Sequence, residues 1–481
     1  MADSLFFYDL ETSGVNPRES RIMQFAGRRT DMDLNPVGEP INVLIKMTED
    51  TLPEPDAVMV HGTTPQKTLA EGISEAEFIK LFDKEIWKPD TIFAGFNNIR
   101  FDDEFMRFLF YRNFNDAYEW QWRDNCSRWD LLDVTRMTRA LRPQGIKWPF
   151  APDGKPSNRL ELLTAVNKLD HFDAHDALSD VDATIAVAKL IKEKQPKLFD
   201  FLLNLRSKKA VQNLVEKNKM FVYSSGKYPA EFEKTTVAAR ICPHPDRNGA
   251  LVYDLRHDPE EFINLKPEEL VEKWKYKKDS EELRLPVKSL QYNRCPAIAP
   301  LGVLDEASKK RIGIDIKTAE KHLATLKKSE KFKDNLLQAV SIINAGREAQ
   351  VELVDNPIDV DKRLYDAFIP PADKNLSAEL RSAEPSEISA FKNKFFDRRL
   401  KSLVVFYKAR NFPKYLSDIE RKEWEDYRKT ILLAGGKESS RLARYLARLQ
   451  ELSSQPNLGK ENQYLLEELQ LWAENIAADM D

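Results

Sequence analysis

The sequence predicts an α/β domain followed by a small all-β unit and then an all-α segment. Three observations carry that reading. Apolar strand-like runs alternate with helical periodicity up to about residue 195. Short β-rich runs broken by turn residues follow from about 219 to 299, and helical spacing returns from about 351. Strands alternating with helices imply a layered α/β domain, whereas closely spaced short strands imply a sheet or barrel of their own.

In chain order, Leu5-Phe6-Phe7-Tyr8 is an apolar, aromatic run that reads as a buried strand from Ser4 to Tyr8. Further strands are expected at Met23–Arg29, Asn42–Lys46 and Thr91–Phe96, with helices at Glu75–Trp87, Asp102–Phe114, Leu160–Leu169 and Val181–Glu193. The pattern changes after Gln195-Pro196. Beyond it, Met220–Tyr223, Thr235–Cys242, Ala250–Leu255 and Pro286–Gln291 read as strands, with Pro245–Gly249 as a hairpin turn. The lysine-rich stretch Glu193–Lys227 is ambiguous between helix and loop. Near the end, Leu442, Tyr445, Leu446, Leu449 and Leu452 recur at helical spacing, and Leu465, Leu466, Leu469 and Trp472 continue the stripe, which is expected to pack as core. The expected domains are 1–195, 196–350 and 351–481.

Composition limits the function classes. With 74 Lys plus Arg against 78 Asp plus Glu, the net charge is −4, so any polyanion site must be a local basic patch. Cys126, Cys242 and Cys295 lie far apart without C-x-x-C spacing, which argues against a zinc site or a disulfide framework. The start of the chain carries no signal-peptide pattern and no stretch reaches 18 apolar residues, so a soluble, cytoplasmic protein is expected.

The chemistry centres on carboxylates. Asp9 and Glu11 sit two apart on the predicted strand, and residues i and i+2 share a face. An acidic pair there is destabilising unless a cation binds, and a divalent metal with oxygen ligands is the simplest partner. Asp102, after the strand Thr91–Phe96, stands where a helix begins, a position that equally suits a helix cap. His175 precedes Asp180 by five residues in a loop running into a helix, where Ser179 could be the cap and Asp180 a first-turn acid. Each residue has a structural explanation of its own; the ordered set does not.

D-x-E, then N-N-x-R-F-D, then H-x(4)-D resembles the DEDDh 3′→5′ exonucleases of the ribonuclease-H-like fold. G-F-N-N-I-R-F-D-D-E (95–104), F-Y-R-N-F (110–114), S-R-W-D-L-L-D (127–133), L-R-P-x-G-I-x-W-P (141–149) and A-R-N-F-P (409–413) extend the likeness over nearly the whole chain, to the bacterial exonuclease I family. The resemblance implies a ribonuclease-H-like exonuclease domain, an SH3-like β-barrel and a helical C-terminal domain that together clamp a strand. It implies processive 3′→5′ hydrolysis of single-stranded DNA to 5′-mononucleotides, with a role in repair and recombination. Asp9, Glu11, Asp102 and Asp180 would hold two Mg2+ ions, Mn2+ substituting, and His175 would be the general base. Asp103, Asp176 and Asp182 are not required by the pattern.

From Arg107 to Trp129, basic and aromatic residues interleave, which suits a channel where bases stack and cations track phosphates. About half of those rings are expected in the core. Arg107, Tyr118, Trp122 and Arg136 are the expected strand contacts, and Tyr118 and Trp122 would share a face if helical. Arg159 matches a family position near the terminal nucleotide, and Lys208, Lys209, Lys217, Lys219 and Lys227 form a basic stretch that could line the clamp. The family also docks the acidic C-terminal tail of single-stranded-DNA-binding protein, for which Arg142 is the candidate; a monomer is expected. A catalytically dead single-strand scaffold, an RNA-directed or proofreading nuclease and a metal-dependent phosphatase are the competing readings.

Overall fold

The computed structural model describes residues 3–171, 176–275, 283–354, 359–436 and 439–478, the side chains of 347–354 excepted. The chain divides into two compact units, both discontinuous in sequence. One comprises Met1–Cys126, Phe172–Asp182 and Asn356–Asp481; the other comprises Ser127–His171 and Ala183–Asp355.

In the first unit, β1 (Ser4–Thr12), β2 (Ile22–Thr30), β3 (Ile41–Leu44) and β4 (Thr91–Gly95) lie side by side in the order β3-β2-β1-β4. β1 runs antiparallel to β2 and parallel to β4. Its pairing with β4 covers Ser4 to Phe7, so Asp9 and Glu11 lie past the end of that ladder. This is the crevice beyond strand ends where open α/β sheets place their sites. Alternation along β1 sends Phe6, Tyr8 and Leu10 into an aromatic core with Phe25, Phe82, Phe93 and Trp120. The helix expected over Glu75–Trp87 is α-helical only over Glu75–Leu81 and continues as a π-helical turn, Phe82–Ile86.

The C-terminal helices share a core with this N-terminal half. Tyr445, Leu449, Leu465, Leu469 and Trp472 are buried in one cluster with Met23, Met47, Val58 and Phe108, so the helical stripe packs as core. The Trp472 indole donates to the Thr51 carbonyl at 3.0 Å. Beneath this packing lies a buried ionic cluster. Arg21 donates to Asp361 at 2.7 Å and Asp50 at 3.2 Å, and Arg410 to Asp361 at 2.5 Å and Asp50 at 2.7 Å.

The second unit contains β5 (Ser127–Asp130) and an antiparallel sheet of β6 (Phe221–Ser224), β7 (Thr235–Pro243), β8 (Gly249–Asp254), β9 (Val287–Gln291) and β10 (Ala297–Pro300), ordered β10-β6-β7-β8-β9. β7 and β8 form the hairpin expected around Pro245–Gly249. β10 was not expected: four residues flanked by Pro296 and ending in Pro300 carry little strand signal, and proline tolerates only an edge position such as this. The ambiguous stretch is helical at Pro196–Asn204 and Lys208–Lys217. The helix expected from Val181 begins at Ala177. Among the described residues, no helix is long and apolar enough to cross a membrane.

Candidate active site

Three of the expected carboxylates converge in the first unit. Ligand oxygens of Asp9, Glu11 and Asp180 all lie within 4.8 Å of one another. β1 supplies the first two from one face, and the first turn of the helix Ala177–Lys194 supplies the third. Asp180 is held there by β2. Gln24, opposite Glu11 in the β1–β2 register, donates at 2.9 Å to Asp176, whose other oxygen accepts from the Ser179 amide at 3.1 Å. Asp176, not Ser179, therefore receives a first-turn amide; a carboxylate immediately before a helix satisfies amides that otherwise lack acceptors. Arg28 on β2 anchors the same helix through Asp182 at 2.7 Å.

Asp102 completes the acidic set. It is buried, and it opens the helix Asp102–Arg112 with Phe101, not Asp102, in the cap position. Burial pushes Asp9 well above the usual carboxylate range, and the charges of Asp102, Glu11, Asp180 and Asp176 push it further. Burial and the charges of Asp180, Asp102 and Asp176 push Glu11 up to about 9. Carboxylates crowded this way bind protons when no cation is present, and a hard divalent cation with oxygen ligands replaces those protons. The donor set fits such a cation, and Asp176 adds to its field although the motif does not call for it. Its place directly before a helix was the available signal. His175 lies outside the described residues.

The expected strand contacts divide between the units. In the first, Arg107 is nearly buried; it donates to Glu104 at 2.6 Å and Gln121 at 3.0 Å and lies 5.3 Å from the Tyr118 ring centre. Tyr118 is partly buried, whereas Trp122 is 63% exposed; a single 3-10 turn, Glu119–Gln121, separates them and Trp122 leaves helical geometry. Phe110, Tyr111, Phe114 and Trp120 are core. In the second unit Arg136 donates to Asp133 at 2.6 Å and lies under Gly226, where a Cβ would come within 3.1 Å of its guanidinium. Arg159 is exposed ahead of the helix Leu160–Asn167 and pairs with Glu161. Arg142 donates to the Val303 carbonyl at 2.8 Å and lies 3.7 Å from Asp305.

The second unit also holds a basic cavity of about 810 Å³. Lys227, His244, Arg247, Lys275, Arg284 and Lys288 surround an apolar floor that includes Val271, Trp274 and Val340, and its described lining contains no carboxylate. Burial, helped by Arg284 and Lys227, pushes Lys288 down to about 8. Lys227 alone was legible as part of a lysine run; the other cations come from separate turns and strands.

Comparison with known proteins agrees with this layout. Residues 6–188 match the family model described as Exonuclease, 206–341 the Exonuclease I SH3-like domain, and 358–476 the Exonuclease I C-terminal domain. The exodeoxyribonuclease I of Haemophilus influenzae is 42% identical over 436 residues, covering 89% of this chain and 90% of that one. That of Escherichia coli is 37% identical over 478 residues, covering 98% of both. The solved structure of a moderately thermophilic exonuclease I from Methylocaldum szegediense superposes with a TM-score of 0.90 at 40% identity, covering 99% of this chain and all of that one. The fold is thus a ribonuclease-H-like exonuclease domain with an SH3-like domain and a mostly helical C-terminal domain. With its carboxylates gathered at the end of β1 and all three domain models matched in order, the chain belongs to the exonuclease I family of DNA nucleases.

Proposed function

We propose that this protein degrades single-stranded DNA from its 3′ end, processively and as a monomer, releasing 5′-mononucleotides in repair and recombination. The convergence of Asp9, Glu11 and Asp180 within 4.8 Å, inside the field of Asp102, carries the reading. Two Mg2+ ions bound there would activate the attacking water and offset charge on the leaving 3′-oxygen. Asp9, Glu11, Asp180 and Asp102 would hold these ions, directly or through water. His175, five residues ahead of Asp180, would take the proton of the attacking water. A relative solved as a zinc-bound ExoI–ssDNA complex, 35% identical with a TM-score of 0.90, supports the use of a divalent metal.

Single-stranded DNA as substrate draws support from the Escherichia coli exonuclease I complex with a dA16 oligonucleotide, which superposes with a TM-score of 0.91. On this chain the exposed Trp122 ring and Tyr118 would stack on bases, while Arg107, Arg136 and Arg159 contact phosphates and the terminal nucleotide. The basic cavity at Lys227 and Lys288, whose described lining contains no carboxylate, would hold part of the strand. A relative solved as an ExoI/SSB-Ct complex supports single-stranded-DNA-binding protein as a partner, and Arg142 would contact its acidic tail.

The test incubates the protein with Mg2+ and four substrates: 5′-labelled single-stranded DNA, the same DNA blocked at its 3′ end, a duplex, and RNA. Stepwise shortening of the open single strand alone, abolished by chelator, is expected. Cleavage of the blocked strand or a preference for RNA would overturn the polarity or the substrate.

A further inference from the structure

Tyr8 bridges the two elements that carry the acidic site, β1 and the helix Asp102–Arg112. It precedes Asp9 on β1 and points to the opposite face, where its ring lies 5.9 Å from that of Phe25 and 6.3 Å from that of Trp120. Its hydroxyl donates to the carboxylate of Asp103, a fully buried residue adjacent to Asp102. The Asp103 amide in turn donates to the Asn98 carbonyl at 2.9 Å. The loop between β4 and the helix is seated tightly: a Cβ on Gly95 would lie 2.8 Å from the Asn98 side chain and 2.9 Å from the Tyr8 carbonyl. One hydroxyl therefore ties the strand that carries Asp9 and Glu11 to the helix start that carries Asp102.

A buried carboxylate and phenol are costly to desolvate, and an apolar pair of similar volume would serve the core as well or better. Their placement one residue from each side of the acidic set gives the bond a purpose that packing does not. We infer that Tyr8 and Asp103 are positioning residues whose hydrogen bond fixes the distance between β1 and Asp102, and with it the affinity of the site for divalent cations. Both side chains are buried. The inference rests on the metal-dependent reading of the site given above.

Tyr8→Phe keeps the ring and removes the hydroxyl, and Asp103→Asn keeps an acceptor for it. Calorimetric titration of each protein with Mn2+, without DNA, is read beside kcat, KM for single-stranded DNA and Tm. Tyr8→Phe is expected to weaken Mn2+ binding and lower kcat by about tenfold, the lower end of what supporting residues around metal ligands contribute. KM for DNA should stay within about twofold, and Asp103→Asn within about threefold of the parent, because the hydrogen bond is retained. A Tyr8→Phe protein with a lowered Tm but parental Mn2+ affinity and kcat would overturn the inference and leave only a packing role. So would an Asp103→Asn protein as impaired as Tyr8→Phe. If the parent itself took up no Mn2+, the metal-dependent reading would fall, and this inference with it.

Discussion

Two clusters of buried charge lie in the same compact unit, and they are built on opposite plans. At Arg21, Asp50, Asp361 and Arg410, two guanidiniums face two carboxylates. Burial pushes Asp361 up, but Arg410 and Arg21 outweigh it and hold its carboxyl below the usual range. Among the acids at the end of β1, burial and the like charges of Asp102 and Asp180 act in the same direction on Asp9 and Glu11, and those two are driven up. The balanced cluster pairs each carboxylate with both guanidiniums and joins the N-terminal half to the C-terminal helices. In the unbalanced one the carboxylates raise one another's proton affinity, and a cation brought from outside would relieve that repulsion, which separates a binding site from scaffold when both are buried and ionic.

The contrast breaks most visibly under substitution. Asp9→Ala should lower the rate of single-strand degradation by more than the roughly 100-fold that loss of a supporting residue brings, as gel assays of 5′-labelled DNA would show. Asp361→Ala leaves two buried guanidiniums sharing the single carboxylate of Asp50 and should destabilise by about 3–5 kcal/mol in denaturant melts, with activity per folded molecule retained. Trp122→Ala should weaken single-stranded DNA binding by about 1–3 kcal/mol in fluorescence titrations without moving Tm, because its ring is 63% exposed.

The pH dependence separates the clusters by sign. Glu11 has its folded-state pKa raised from 4.5 to about 9, so the folded protein holds a proton that the unfolded chain releases. Metal-free stability from this group is present below 4.5 and is lost as pH rises toward about 9. Asp361, held low, contributes stability at neutral pH that is lost on acidification. Melts of metal-free protein between pH 5 and 9 should therefore show Tm falling with pH, with a smaller slope in Glu11→Gln. The smallest effect is expected at Arg28→Ala: its pairing with Asp182, 47% exposed, should contribute no more than about 1 kcal/mol to stability.

Much of the acidic site was legible because strand periodicity is local. Asp9 and Glu11 must share a face once β1 is recognised, and the remaining acids fall at helix starts that the sequence marks with Asn, Asp and Ser. The balanced cluster was not legible: Arg21 and Asp361 are 340 residues apart, and charged residues without a motif read as surface. The basic cavity was hidden for the same reason, its cations arriving from a turn, a strand and a helix end. Nor could periodicity show that the stripe from Leu442 to Trp472 packs with Met23 and Met47, since an amphipathic face does not name its partner.

The most direct test of the central claim is the Mg2+-induced shift in Tm of the parent and of Asp9→Ala, measured at pH 8. A metal-binding acidic cluster predicts that Mg2+ raises the parent's Tm and leaves the variant unmoved, and that the metal-free variant melts no lower than the metal-free parent. Equal Mg2+ shifts in the two proteins would contradict it and place the cation elsewhere.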